Sequence, residues 1–397
     1  MDVCDMTGKT GAATLAAACV VALAALSLRA QGSPSAAAET AAFQREIDRL
    51  AAEGGGTLTV TAGEHRVGAL FFRPGVNLEL AEGAVLAGSD DPADYPLRET
   101  RIEGETRRYY PALVNADGCD GFRISGRGVV DGRGQATWRA FWAGHRADRN
   151  FTNTDPSLLR PRVLYVSNSR NVEVSGATFR NSCFWTTHFY RCEGVDIHDC
   201  AMLAEPDGDV RAPSSDGIDI DNCRDVRIRR VTIAVNDDAI AVKGGKGPWA
   251  DDAARHPENG PSSGILVEEC LFRSPCHSCL TLGSECPAAS NVVMRGCRVD
   301  GAGRLLWLKM RTDTPQRYSD VLVENCSGTC GMMLDAGAWR QYEVTGGRPA
   351  AELMSRCSRV TMRGNVLTCT RQGVRIRRDD EVFSLAGLDI GGNTLSE

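Results

Sequence analysis

Asn171-Val172-Glu173-Val174, Gly194-Val195-Asp196-Ile197 and Asp225-Val226-Arg227-Ile228 are three copies of one phrase. Each is a turn residue followed by an alternating strand, the pattern of a chain segment with one face in a core. The phrase returns at Asn291-Val292-Val293-Met294, Asp320-Val321-Leu322-Val323 and Arg359-Val360-Thr361-Met362, with a degenerate copy at Gly264-Ile265-Leu266-Val267. The unit is one coil of roughly 20 to 30 residues, interrupted by insertions, and repeats of that size built from short strands stack into a solenoid. No leucine phrase marks a leucine-rich repeat, and the irregular spacing argues against the regular blades of a propeller. The expected architecture is all-β, a single-stranded right-handed parallel β-helix.

Composition agrees. Of 397 residues, 42 are glycine and only 6% are aromatic, which suits many short strands and tight turns. The open edge of the first coil needs a cover, and Ala41 to Glu53 supplies one: Phe43, Ile47, Leu50 and Ala51 recur at helical spacing before Gly54-Gly55-Gly56 stops the helix. Gly56-Thr57-Leu58-Thr59-Val60 then reads as the first strand.

The formal net charge is −6, and Lys and Arg are scattered, which excludes a nucleic-acid-binding surface. An acidic sugar partner would need cations supplied locally. Lys9, the apolar stretch Ala12 to Leu28, and Ala30-Gln31-Gly32-Ser33 read as a signal peptide over residues 1–30. The expectation is a secreted or periplasmic protein, free of the membrane after cleavage, whose residues 31–397 form one monomeric catalytic domain. Sixteen cysteines in an exported chain suggest disulfides. Cys200, Cys223, Cys270, Cys297 and Cys326, however, flank short strands at comparable repeat positions, so stacked, buried free thiols are the simpler reading.

The chemistry concentrates in Ser215-Asp216-Gly217-Ile218-Asp219 and Asn236-Asp237-Asp238-Ala239-Ile240-Ala241-Val242-Lys243-Gly244. Asp216 and Asp237 stand about one coil apart, on neighbouring strands spaced about 4.8 Å. Adjacent residues of a regular strand face opposite ways, so Asp237 and Asp238 can share a face only where the backbone bends. A buried unpaired carboxylate costs several kcal/mol, roughly, which favours the bend. Taken alone, an Asp-Asp pair reads equally as a solvated turn; Asp216 one coil earlier tips the balance. His277 lies in Cys276-His277-Ser278-Cys279, and with Cys286 these could also form a zinc site, but no second ligand pair follows at finger-like spacing. No metal and no cofactor is expected.

These phrases, in order, resemble glycoside hydrolase family 28, the polygalacturonases, from about residue 40 to beyond residue 340. The family's Asn-Thr-Asp, Gly-Asp-Asp, Gly-His-Gly and Arg-Ile-Lys motifs correspond to Ser214-Ser215-Asp216, Asn236-Asp237-Asp238, Cys276-His277-Ser278 and Lys309-Met310-Arg311. Gly55-Gly56-Thr57, Gly126-Arg127-Gly128-Val129-Val130-Asp131-Gly132 and Phe184-Trp185-Thr186-Thr187-His188 resemble its early coils. The resemblance implies an inverting hydrolase of pectic poly- or oligosaccharides. Asp237 would be the general acid, Asp216 and Asp238 would activate water, and His277 would tune the acid. Repulsion among the carboxylates would keep one protonated. Lys309 and Arg311 would take the galacturonate carboxylate, with Lys243 as a third candidate. The segment from Gly244 to Gly264, with Trp249, is expected to close one end of the groove, which favours exo-action. Three alternatives stay open: hydrolysis next to rhamnose in rhamnogalacturonan, a Ca²⁺-dependent lyase on the same fold, and a non-catalytic polysaccharide-binding β-helix.

Overall fold

The computed structural model describes residues 35–397 apart from 149, 342, 345, 378, 380 and 381. The signal-peptide expectation lies outside these residues. Among them, no helix is long and apolar enough to cross a membrane.

The repeated phrases form one face of a right-handed parallel β-helix, an eleven-stranded parallel sheet. Their alternation is in register: Val172, Val195, Val226, Ile265, Val292, Val321 and Val360 make one row. Val174, Ile197, Ile228, Val267, Met294, Val323 and Met362 make the next. Every one of these side chains is buried, each contributing about 1.5–3 kcal/mol. The residue that opens each phrase holds a positive φ, from +53° at Asn291 to +70° at Gly194. Asn, Asp and Gly tolerate that conformation; Arg359, at +54°, does so against its side chain.

Two further parallel ladders complete each coil. One of them carries the strands Thr187–Tyr190, Ile218–Asp221, Asp238–Lys243 and Ser278–Leu282, stacked in that order. The long strands Arg298–Arg311 and Ser327–Trp339 then run through both ladders. The capping helix is present as Ala36–Ala52 and buries Phe43, Ile47 and Leu50. It begins five residues earlier than the hydrophobic spacing indicates, because the Ser35 hydroxyl accepts the Ala38 N–H and caps it there.

Three insertions leave the coils on the side of the Ile218–Asp221 ladder. They are the antiparallel hairpin Arg98–Ile102 with Glu105–Tyr109, the helix Gln135–Ala147, and the segment joining Leu203 to Ile218. All fourteen cysteines among the described residues are buried and free. They fall into separate rows: Cys223 stacks on Cys192, whose N–H reaches the Cys223 sulfur at 3.4 Å. Cys270, Cys297 and Cys326 form another row, their thiols in contact.

Candidate active site

The register of Ile218 against Ile240 sets an offset of 22 residues, one more than the separation of Asp216 and Asp237. Asp216 therefore stacks beside Asp238, and the Gly217 N–H donates to the Asp238 carbonyl at 3.0 Å. His277, one strand on, stacks against Asp237, its N–H donating to the Asp237 carbonyl at 2.9 Å. The strand begins at Asp238, so Asp237 precedes the regular alternation and the two neighbours can share one side. Oxygens of Asp216, Asp237 and Asp238 lie within 4.8 Å of one another. The convergence expected from the sequence is present.

Each carboxyl has its own cationic neighbour. His277 Nδ1 lies 3.3 Å from Asp237 Oδ1. Lys309 Nζ lies 2.7 Å from Asp238 Oδ2. Lys243 Nζ lies 3.2 Å from Asp216 Oδ2 and 3.6 Å from both Asp219 and Glu285. Burial works to raise the pKa of Asp237, but the His277 ring outweighs it and holds the carboxyl at about 2. The same contact raises the pKa of His277. Burial pushes Asp216 up to about 7, against the pull of Lys243. Asp219, also buried and next to Asp216, is raised well above the usual carboxylate range. Of the three convergent carboxyls, the raised pKa thus belongs to Asp216 rather than to Asp237, and its cause is lost solvation more than repulsion.

The cations differ from the sequence reading. Arg311 is 1% exposed and its guanidinium grips Asp313 through two 2.7 Å hydrogen bonds, with Glu285 at 3.8 Å. It stands behind the cavity wall, so direct contact with a sugar carboxylate is replaced by support of Glu285. Burial works to raise the Glu285 pKa, but Lys243 and Arg311 outweigh it and hold it below its ordinary value. Lys243 is 5% exposed, lies 4.6 Å from the Trp185 ring centroid, and is spent on three carboxylates. Cys276 and Cys279 are buried in the core while His277 turns out to Asp237, so the zinc arrangement does not assemble.

The carboxylates sit in a cavity of about 360 Å³. Its walls come from the insertions: Glu103 of the hairpin, Phe141, Trp142 and His145 of the helix, and Arg211 to Ser214. Trp307 and Trp339, edge to face at 5.4 Å, form the opposite wall with Lys309, which lies 4.0 Å from the Trp307 ring centroid. Neither indole N–H has a hydrogen-bond partner among the described residues. The segment 244–264 adds nothing to this wall beyond the strand residue Lys243 that precedes it. It lines a separate depression with Glu105 and Val344, held there by Gly247 N–H to Thr314 and Arg101 to Asn259. The expected closure of the groove by that segment is therefore taken over by the hairpin and the helix. Behind the floor, buried Arg101, Asp221, His188 and Arg162 form a chain: Arg101 lies 3.2 Å and His188 3.3 Å from Asp221, and Arg162 lies 2.7 Å from His188. It fastens the hairpin to the strand that follows Asp216.

Comparison with known proteins adds three findings. Residues 97–293, which include Asp216, Asp237, Asp238 and His277, match the family model "Glycosyl hydrolases family 28". A probable polygalacturonase of Vitis vinifera is 28% identical over 255 residues, 62% of this chain and 48% of the relative, and an exopolygalacturonase of Zea mays is 31% identical over 31% of this chain and 27% of its own length. The chain thus spans about half, or less, of the length of these curated relatives. Among solved structures, a hyperthermoactive exopolygalacturonase from Thermotoga maritima has the same fold, with a TM-score of 0.67, 22% identity and 88% coverage of both chains. The polygalacturonase of Erwinia carotovora superposes with a TM-score of 0.61 at 18% identity, covering 93% of this chain and 96% of its own.

Proposed function

Because the chain belongs to glycosyl hydrolase family 28, we propose that it hydrolyses galacturonic-acid linkages of pectin from a chain end, with inversion. The observation that carries this reading is the triad of carboxyls within 4.8 Å, one on a histidine and two on lysines. Asp237 and His277 share one proton, which rests on the imidazole in the free site. Substrate that displaces water and presents a neutral glycosidic oxygen to Asp237 draws this proton onto the carboxyl and then onto the leaving oxygen. Asp238, 2.7 Å from Lys309, takes the proton of the attacking water, and Asp216 holds that water through a hydrogen bond. The spacing is shorter than the roughly 6.5–9.5 Å of two-carboxylate inverting sites. Inversion still requires the water held by Asp216 and Asp238 to attack the face of the ring opposite the oxygen that Asp237 protonates, so the anomer of the first product decides the point.

A cavity of about 360 Å³ suits a chain end better than a long polymer, which supports exo-action. Export belongs to the same proposal, since the polymer lies outside the cell and residues 1–30 read as a removable leader. A second reading, galacturonate cleaved next to rhamnose, is favoured by the partly exposed Trp339 indole in the cavity wall, whose apolar surface suits a deoxy sugar. Purified protein would be incubated with oligogalacturonides and with rhamnogalacturonan oligomers, the products sized and the fresh anomer read by NMR. Saturated monomer of inverted configuration is expected, and the preferred polymer chooses between the readings. Unsaturated, ultraviolet-absorbing product would identify a lyase, and no product from either polymer would remove the hydrolase reading.

A further inference from the structure

A uronic-acid substrate must bring a carboxylate into a cavity whose floor already holds Asp216, Asp237, Asp238 and Glu285. The floor cations do not remain available for it. Lys309 is bound to Asp238, Lys243 to Asp216 and Glu285, and His277 to Asp237. Of the remaining basic residues on the wall, His145 packs its ring against Phe141 and Trp142. That leaves Arg211, which is exposed, lines the cavity, and has no hydrogen-bond or ion-pair partner for its guanidinium among the described residues.

Its mount is rigid. The Arg211 carbonyl accepts the Trp142 indole N–H at 2.7 Å, and the Pro213 carbonyl accepts a hydrogen bond from buried Arg160 at 2.5 Å. Ser215 closes the segment, its hydroxyl donating to the Ala212 carbonyl and accepting the Asn236 N–H. The backbone between the helix Gln135–Ala147 and Asp216 is thereby pinned on both sides of a free, permanently charged side chain. We propose that Arg211 is the residue that captures the carboxylate of the substrate's uronic acid, through a bidentate guanidinium contact at the cavity rim. This rests on the galacturonate reading above, and it assigns the recognition of charge to an insertion five residues before Asp216 rather than to the strand lysines.

The test separates binding from catalysis. Asp237→Asn protein, with and without Arg211→Ala or Arg211→Lys, would be titrated calorimetrically with digalacturonate and with the corresponding neutral galactose disaccharide; kcat and KM would be measured for Arg211→Ala alone. Loss of one charge-assisted contact should weaken uronate binding by about tenfold to a hundredfold. KM should rise more than kcat falls, added salt should narrow the gap, and the lysine variant should recover part of the affinity. The neutral disaccharide should bind equally to all forms. Equal uronate affinity with and without Arg211 overturns the proposal, as does absence of uronate binding in both. Arg211-dependent binding by a protein whose wild type releases no product would instead sink the hydrolase reading and leave this one standing.

Discussion

The strands Ile218–Asp221 and Asp238–Lys243 present two faces on one backbone, and the faces obey different rules. Inward, Ile218 stacks on Ile240 and Ile220 on Val242, all fully buried in an apolar row. Outward, Asp219 stacks on Ala241 and Asp221 on Lys243, also buried but with three of the four polar. Among the described residues, both oxygens of Asp219, and one each of Asp221 and Asp238, lack a hydrogen-bond partner. The hydrogen-bond ladder is common to both, so the difference lies in the side chains alone. Stability is concentrated on the inner face, whereas the outer face holds buried carboxyls that lean on Lys243, Lys309 and Arg101 and are only partly hydrogen-bonded, the arrangement expected of a site.

The sharpest way to break this comparison is to exchange a residue on each side. Asp237→Asn should lower kcat by about a hundredfold to ten-thousandfold, the range for a lost general acid. Its melting temperature should fall only modestly, because the contact with His277 is lost while Asp237 keeps 27% side-chain exposure and no core contact is removed. Ile240→Ala should do the reverse, costing about 2–5 kcal/mol in chemical denaturation while activity per folded molecule persists. If Asp237→Asn unfolds the protein or Ile240→Ala abolishes turnover with the fold intact, the two faces are not separable in this way.

Much of this division can be read from the chain. Val172, Val195 and Val226 announce the inner face, because alternation behind a turn residue has one physical reading once it repeats. The Asp237-Asp238 pair announces a local departure from it. What stays hidden is whatever depends on distant partners. Arg101 meets Asp221 across 120 positions, and Trp185, Glu285 and Trp339 reach the cavity through coil stacking that no local pattern encodes. A partial signal existed for the wall helix, since Trp138 and Phe141 stand one turn apart and both are buried. Arg311 shows the limit of alternation: it gives the side of the strand but not the exposure, and Asp313, two residues on, folds back to cover the guanidinium.

Asp216 tests the outer face through pH. Its folded pKa, about 7, lies above its unfolded value, so its protonated form favours the fold. That contribution is fully present below the unfolded pKa, and is lost as pH rises through the folded one. Asp216→Asn cannot ionise, so its stability advantage over wild type should grow between pH 4 and about pH 7.5 and then level off. The ceiling is on the order of 4 kcal/mol, reduced because Lys243 loses a partner. Parallel melting curves from pH 4 to 9 check it; a constant gap would mean that Asp216 is already ionised throughout.

The smallest expected effect concerns the inner face, where sixteen cysteines in the sequence would lead a reader to expect cross-links. Cys297 touches Cys270 and Cys326 in neighbouring coils, yet each thiol is buried and points its hydrogen at a backbone carbonyl, as from Cys297 to the Arg295 carbonyl at 3.4 Å. A small apolar side chain filling a coil position is what the row requires, and valine does the same work at Val231, whose carbonyl accepts the N–H of Leu271. Cys297→Ala should therefore cost only about 1–2 kcal/mol, the scale of one deleted buried group and its residual gap. Reducing agent should leave the melting temperature of the wild type unchanged. A large drop on reduction would mean that some of these rows close into disulfides and that the inner face is held covalently rather than by packing.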